Sequence, residues 1–439
     1  MNDTISPLAL TAPQYGMWAA QQLDPGNPSF WTAEAIELVG ELDESALRVA
    51  VTETLAACDA LHMRYQRRGG EVVQQPDCSR DIDFPTRDFS ADPAGVLAHG
   101  WMQRDLMHAP DLERGPLFGT ALLKLGPQRH LWYVRAHHIA LDGFAYLLLI
   151  KRVAQVYSAL CAGVDPPEPR DWSLQPVVTE AFAYRSSSDY SRDRVFWQQQ
   201  FAGMRTPVTL APLRPPADTS RSQRHLLPVE AYAAWQASAR ACGVDWAAWL
   251  VAVIAAWMQQ RSGADEVSLG LLVMNRLGSA MLSIPCMGMN VLPLRIVVDR
   301  GQTFDAFARY VAGLLREARR HQRYNYECMR EDQGLAGTHR QLYGPVLNLM
   351  PFDRAFTFAG LVSRALPVSV GSVEDLDITV SPLANAVRFD FEANPDAYSA
   401  AGLRAHHATL LQSLGNVLAC PDAPIRDLFV THDPVEVAA

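Results

Sequence analysis

The sequence predicts a mixed α/β (α+β) protein built from two lobes, and three observations support this class. The chain has 439 residues, which is too long for a single hydrophobic core of ordinary size. Residues 130–138 alternate as a strand does, and a helical pattern follows from Phe144 to about Leu160. Strand and helix patterns recur after residue 171 without the regular alternation of a doubly wound sheet.

The stretch GVDPPEP at residues 163–169 is the clearest candidate linker. Consecutive prolines disfavour both a helix and a central strand. We therefore expect an N-terminal lobe over residues 1–170 and a C-terminal lobe over residues 171–439.

Local patterns place several elements in each lobe. In the first, Asp43 is placed to cap a helix, and Gly69-Gly70 predicts a hairpin turn between strands at 63–65 and 71–73. The apolar spacing after Asp43 predicts a core-facing stripe at Leu47, Val51, Leu55 and Cys58. The second lobe is predicted to have helices near 229–241, 304–321 and 399–418 and strands near 266–274, 291–298 and 386–392.

Charge and composition exclude several classes of function. A net charge of -9 without a basic run disfavours a nucleic-acid partner and an anionic membrane surface. The most apolar helix candidate, residues 246–258, is shorter than the roughly 20 residues that span a bilayer, and it is expected to be a buried core helix. The start MNDT lacks the features of a signal peptide, so we expect a cytoplasmic protein. Seven cysteines without a CxxC pair predict free thiols and no metal site.

The run HHIALDG at residues 137–143 is the strongest candidate for a catalytic site. Neighbouring strand residues face opposite ways, so one of His137 and His138 is expected to be the reactive imidazole and the other a scaffold group. A short apolar turn leads to Asp142-Gly143 at the start of a helix. An imidazole, an acidic anchor and a glycine N–H would suit proton transfer from a nucleophile and stabilisation of an oxyanion. The alternative is a hydrogen-bonded core histidine without a catalytic role.

This run resembles the HHxxxDG signature of the condensation domains of nonribosomal peptide synthetases, which share the chloramphenicol-acetyltransferase fold. Residues 10–18 (LTAPQYGMW) with 21–25 (QQLDP) look like the opening motif of the family, with Pro13 where alanine is usual. Residues 60–65 (ALHMRY) look like the second motif, with His62 where arginine is common. Three later segments resemble the condensation domain of the enterobactin synthase serine module: 274–280, 290–294 and 343–348. The resemblance runs from about residue 7 to residue 430.

The resemblance implies a V-shaped pseudo-dimer of two acetyltransferase-like lobes with a central tunnel, acting as a monomer. Donor and acceptor carrier proteins (peptidyl, aryl or acyl) would each insert a phosphopantetheine arm, and no cofactor would be bound covalently. The donor carries an acyl or aryl thioester. The acceptor carries an aminoacyl thioester whose amine attacks it, with a hydroxyl as the alternative nucleophile. The serine-module resemblance suggests an aryl or short acyl donor and a serine-like acceptor.

The family pattern also implies a role for each site residue. His138 would orient or deprotonate the amine, with His137 as support. Asp142 would pair with Arg276 from the other lobe, and Gly143 would keep the helix entrance open and offer its N–H to the oxyanion. Asn348 is a candidate for the tunnel lining. Arg276 could instead form a surface ion pair, and Asn348 could be a loop amide.

Two further clusters have simpler interpretations. His406-His407 is expected on the solvated face of a helix. The basic cluster Arg316, Arg319, Arg320, His321 and Arg323 lies at a helix C-terminus, where it offsets the helix dipole, with the surface of a carrier protein as an alternative partner.

Alternatives remain within and beyond the family. Gly143-Phe144-Ala145 and the intact histidines disfavour heterocyclisation, epimerisation and non-catalytic relatives. The strongest alternative is a stand-alone acyltransferase that uses a coenzyme A thioester and a soluble alcohol or amine. A purely structural scaffold is the third. No adenylation or carrier segment is recognised, so an excised domain and a free-standing enzyme are both open, as are amide and ester products.

Overall fold

The computed structural model describes residues 7–77, 81–204, 206–350, 355–383 and 385–429. In chain order the strands are β1 Leu8–Ala9, β2 Trp31–Val39, β3 Met63–Arg68, β4 Glu71–Pro76, β5 Thr86–Asp88, β6 Phe118–Gly126, β7 Arg129–His137, β8 Arg221–Pro228, β9 Glu266–Val273, β10 Asn290–Val297, β11 Val346–Leu349, β12 Val362–Val370, β13 Leu376–Pro382 and β14 Ala386–Ala393. The helices are α1 Ala12–Leu23, α2 Glu44–Ala56, α3 Val96–Leu106, α4 Gly143–Cys161, α5 Gln175–Arg185, α6 Ser188–Phe201, α7 Val229–Ala241, α8 Trp246–Ser262, α9 Phe304–Arg320, α10 Tyr326–Asp332, α11 Ala400–Ala419 and α12 Ile425–Leu428. The mixed α/β class is confirmed.

The chain divides into two compact units that do not follow the predicted boundary after residue 170. The first unit contains Met1–Ser187 and two later segments, Met274–Met289 and Arg354–Ser372. The second contains Ser188–Val273, Asn290–Asp353 and Val373–Ala439. The proline-rich stretch is a loop, as expected, but the chain after it stays with the first unit.

Two contacts show why the first unit extends past the proline-rich loop. Trp172 forms a β-bridge with Cys58. The N–H of Leu174, at the start of α5, donates to Asp59 Oδ2 at 3.2 Å. The proline-rich stretch therefore follows the end of α4, but the first unit continues beyond it to Ser187.

The first unit is built on a five-stranded sheet in the order β12-β2-β7-β6-β5. On one face, Ala98, Met102 and Leu106 of α3 share a core with Trp31 and its sheet neighbours. On the other face lies α4, where the Tyr146 hydroxyl donates to the Thr32 carbonyl at 2.8 Å. Strand β12 completes this sheet from residue 362 onward, so its edge comes from a distant part of the sequence.

The local predictions for the first unit are confirmed. Asp43 caps α2 by accepting the N–H of Ala46 at 2.9 Å. Strands β3 and β4 pair antiparallel across Gly69 and Gly70, whose φ angles of 59° and 89° are left-handed and suit glycine. The predicted stripe is buried: Leu47, Val51, Leu55 and, just past the helix, Cys58.

The second unit is built on a six-stranded sheet in the order β10-β9-β11-β13-β14-β8. Helix α8 is buried from Ala248 to Gln259, which confirms the predicted core helix. The predicted helices and strands of this half also form, as α7, α9, α11, β9, β10 and β14, with ends within two residues of those expected. Val387, Phe389 and Phe391 of β14 are completely buried in the core of this unit.

Two helical features of the described chain pass a length and hydropathy test for membrane spans. One is α4, and the other is the bent pair α7 and α8 taken together. Of the α4 window, 61% is buried against the rest of the protein, as in a core helix.

Candidate active site

The two adjacent histidines lie where β7 ends and the chain turns toward α4. Backbone pairing continues through both residues, because the N–H of His137 donates to the Leu117 carbonyl and that of His138 donates to Phe30, each at 2.9 Å. The chain then turns, with the N–H of Ala140 bonded to the His137 carbonyl at 2.9 Å. The chain therefore turns directly after the two histidines, and their rings lie in different environments, His137 buried and His138 half-buried.

The His138 imidazole has one nitrogen bonded to the backbone and one that has no hydrogen-bond partner among the described residues. Its Nδ1 lies 2.9 Å from the Leu141 carbonyl oxygen. A carbonyl only accepts, so Nδ1 carries the hydrogen and Nε2 keeps its lone pair. The ring is half-buried. Its removal from water lowers the pKa of His138, an effect that Asp142 opposes, so the ring is neutral at pH 7.

His137 is completely buried and has no free nitrogen. Its Nε2 lies 3.0 Å from the side-chain oxygen of Gln21, and its Nδ1 accepts the N–H of Ile139 at 3.1 Å. Burial, and then the neighbouring His138, lowers the pKa of His137 to about 3. This ring is part of the scaffold under the turn.

Asp142 ties the start of α4 to the segment Met274–Met289. Its Oδ1 accepts the N–H of Ala145 at 2.9 Å, which caps the helix. Its Oδ2 accepts the backbone N–H groups of Gly288 and Met289, both at 3.0 Å. Both oxygens also lie 2.8 Å from Nη2 of Arg276. Each carboxylate oxygen therefore accepts hydrogen bonds from at least two donors.

Arg276 is a buried partner of Asp142, because 0% of its side chain is exposed. It also donates to the carbonyls of Cys286 at 2.6 Å and Ile284 at 3.2 Å, and its guanidinium lies 5.0 Å from the Phe144 ring centre. The structure therefore excludes the surface ion pair. The expectation that Arg276 comes from the other lobe was wrong, since Met274–Met289 belongs to the first unit.

Gly143 is the first residue of α4 and is exposed. A β-carbon at this position would meet no atom within 4 Å. The first N–H groups of a helix have no acceptor within the helix. Gly143 thus offers open space and a backbone donor one residue beyond the anchor, five positions from His138.

Two site residues escaped the sequence analysis. Gly371 has a φ of 98°, and a β-carbon there would lie 3.0 Å from Cδ2 of His138 and 3.3 Å from Cγ2 of Thr32. The side-chain oxygen of Gln21 lies 3.0 Å from Nε2 of His137. Gly371 follows β12, far along the chain, so no local pattern joins it to the histidines. Gln21 lies inside the segment 21–25 that was noted only as a motif.

The remaining predicted features lie in the second unit. Asn348 is a half-buried residue of β11, and its place in a tunnel lining stays a prediction. Arg316 and Arg319 line a cavity of about 380 Å³ with Arg240, while Arg320 pairs with Glu317 at 2.8 Å.

The solvated face predicted for His406-His407 was wrong, because the two residues are only 9% and 4% exposed.

Among the described residues, no group of three or more His, Cys, Asp or Glu side chains has a metal-binding arrangement. Six cysteines are free thiols. The seventh, Cys78, lies outside the described residues.

Comparisons with known proteins point to one family. The condensation-domain family model matches residues 5–436. The dimodular nonribosomal peptide synthase of Bacillus subtilis (strain 168) is 37% identical over 425 residues, which cover 96% of this chain and 18% of the relative. Enterobactin synthase component F of Escherichia coli O157:H7 is 32% identical over 94% of this chain and 32% of its own length. The chain thus spans less than a third of each of these relatives.

A solved structure agrees with the family match. The starter condensation domain of rhizomide synthetase, a variant in complex with C8-CoA and Leu-SNAC, superposes with a TM-score of 0.88 at 30% identity. The match covers 95% of this chain and 96% of that one. The resemblance to enterobactin synthase is confirmed, although the Bacillus relative has the higher identity. The sequence, the fold and the histidine turn agree, and the chain belongs to the condensation-domain family of nonribosomal peptide synthetases.

Proposed function

We propose that this chain joins an acyl, aryl or peptidyl thioester to the amine of an aminoacyl thioester. Each substrate would be presented on the phosphopantetheine arm of a carrier protein, as for condensation domains of nonribosomal peptide synthetases. One observation carries the proposal: His138 is a neutral, half-buried imidazole with Nδ1–H bonded to Leu141 and the lone pair of Nε2 available.

The reaction follows from that tautomer. The acceptor amine donates a hydrogen bond to Nε2 of His138, which orients its lone pair toward the donor carbonyl. A carbon–nitrogen bond forms, the carbon–sulfur bond breaks, and the amine proton passes through Nε2 to the departing thiolate. A serine hydroxyl in place of the amine would give an ester by the same steps.

The surrounding residues support this chemistry. The N–H of Gly143 is our candidate for stabilising the negative oxygen that develops on the carbonyl. Asp142 and Arg276 hold the start of α4, and His137 holds the turn. Asn348 is proposed to line the passage taken by a substrate arm. We further propose a cytoplasmic, monomeric enzyme.

A coenzyme A donor is the second candidate. It is favoured by one comparison, because the related rhizomide synthetase domain was solved with C8-CoA and Leu-SNAC. That ligand belongs to the relative, so for this chain it defines the alternative to be tested.

The test presents one acyl group as a carrier-bound thioester, as a coenzyme A thioester and as an N-acetylcysteamine thioester, with the same aminoacyl acceptor. Mass spectrometry of the acceptor detects the product. We expect fastest turnover from the carrier-bound donor, and a rate lowered by ~100- to 10,000-fold with His138→Ala. Equal turnover from carrier and coenzyme A would support the second candidate, and an active His138→Ala protein would remove the catalytic assignment.

A further inference from the structure

The hydrogen bonds of Gln21 determine the orientation of its amide. Gln21 lies in α1 and is 1% exposed. Its Nε2 lies 2.9, 3.2 and 3.1 Å from the carbonyl oxygens of Asp24, Pro25 and Asn27. Carbonyls only accept, so the NH2 group faces these three residues. The side-chain oxygen must then face His137.

That orientation fixes the tautomer of His137. The Gln21 oxygen is an acceptor 3.0 Å from Nε2 of His137, so this nitrogen carries the hydrogen. At the opposite side of the ring, Nδ1 accepts the N–H of Ile139 at 3.1 Å. A neutral imidazole has one donor and one acceptor nitrogen, and both are used. Only one tautomer satisfies both contacts.

From His137 the contacts lead to the reactive ring. The bond to the N–H of Ile139 and the bond from Ala140 to the His137 carbonyl hold the turn. This turn places the Leu141 carbonyl, which accepts Nδ1–H of His138 at 2.9 Å. The last contact decides which nitrogen of His138 keeps a lone pair. Gln21 is the first residue in this series of contacts, which runs through His137 and the turn to His138.

We propose that Gln21 is a positioning residue: by holding His137 in its Nε2–H tautomer it fixes the turn that presents the Nε2 lone pair of His138. The inference rests on the proposed function, since it matters only if His138 acts on the substrate. The simpler possibility is that Gln21 only satisfies the carbonyls at residues 24–27. The two possibilities predict different kinetics.

The chain contains a matched control on the same helix. Gln14 lies two turns earlier and is 2% exposed. It bonds to Gln74 at 2.9 Å and to the Tyr65 hydroxyl at 3.4 Å, away from the histidine turn. Replacing either glutamine by leucine removes a buried amide from α1. Only one of the two substitutions removes the contact to His137.

The experiment compares Gln21→Leu, Gln14→Leu, His137→Phe and the double variant Gln21→Leu/His137→Phe. We expect Gln21→Leu to lower kcat by about ten- to a hundredfold with KM changed less than about threefold, because the ring is misplaced while the binding surface is kept. Gln14→Leu should keep kcat within about threefold at a similar loss of unfolding free energy. Adding Gln21→Leu to His137→Phe should cost less than about threefold more.

Three results would overturn the inference: equal kcat for the two leucine variants, additive losses in the double variant, or ring ¹⁵N resonances of the wild-type protein that show Nδ1–H at His137. The last measurement needs no variant to fold. His138→Ala separates the two hypotheses. If it is active, the proposed function fails, whereas if it is inactive and Gln21→Leu is fully active, only the role of Gln21 fails.

Discussion

The molecule contains two adjacent histidine pairs, which differ in their place in the fold and in the hydrogen bonds of their rings. His137-His138 lies where a strand ends and the chain turns, and three of the four ring nitrogens are hydrogen-bonded. His406-His407 lies in the middle of α11, and both rings are buried among aromatic side chains. Trp257 packs edge-on against His406, and Phe391 does so against His407.

The difference teaches that hydrogen bonds determine whether a neutral histidine can present a lone pair. Among the described residues, Nδ1 of His406 has no hydrogen-bond partner, and burial lowers the pKa of this ring to about 4. His138 is also neutral, but it is half-buried, its tautomer is fixed by the Leu141 carbonyl, and Gly371 leaves space beside its ring. The first pair is built to present a lone pair, and the second fills a core.

The largest expected effect is that two matched alanine variants lose different properties, one its condensation rate and the other its stability. His138→Ala should lower the condensation rate by ~100- to 10,000-fold, because the group proposed to take the amine proton is lost. His407→Ala should leave the rate nearly unchanged but lower the unfolding free energy by about 2 kcal/mol or more, since it leaves a cavity in the core. Steady-state kinetics and denaturant unfolding on both variants make the comparison. A comparable rate loss in the two variants would contradict it.

Removing Arg276 alone from its ion pair with Asp142 should lower the stability of the protein. We expect Arg276→Met to lower the unfolding free energy by about 3 to 5 kcal/mol, because Asp142 would stay buried and charged without its cation. Adding Asp142→Asn should restore part of that loss. Urea unfolding of the two variants measures both steps, and a single variant as stable as wild type would show that the pair is not needed to hold the turn.

The second pair should be visible in the acid stability of the protein, with a smaller effect. His406 has a folded pKa of about 4, below the ordinary 6.5, so the unfolded chain binds its proton first as the pH falls. Stability is therefore lost between about pH 6.5 and 4, by on the order of 1 to 3 kcal/mol from this ring. Unfolding of His406→Leu over that range should show a shallower loss. An unchanged pH slope would place the loss in other groups, such as His137.

The local elements and the candidate catalytic run could be predicted from the sequence because their signals are short-range. The β7 strand, α4, the Asp43 cap and the hairpin at Gly69 each depend on residues within one or two turns. The signature HHxxxDG also identified the family. These parts of the fold and site are encoded where they occur.

The parts that could not be predicted depend on residues distant in sequence. Arg276 joins the first unit through a segment 134 positions after Asp142. Gly371 reaches His138 only because β12 pairs with β2. His406 and His407 were misplaced on a solvated face because the packing of Trp257 and β14 against α11 leaves no trace in the local pattern.

The most direct test of the central claim is the protonation state of His138 itself. Ring ¹⁵N resonances followed from pH 5 to 8, assigned by comparison with His138→Ala, report which nitrogen carries the hydrogen. The account predicts a neutral ring at pH 7 with hydrogen on Nδ1, a bare Nε2, and a pKa below 6.5. A ring with its hydrogen on Nε2, or a charged ring at pH 7, would contradict it.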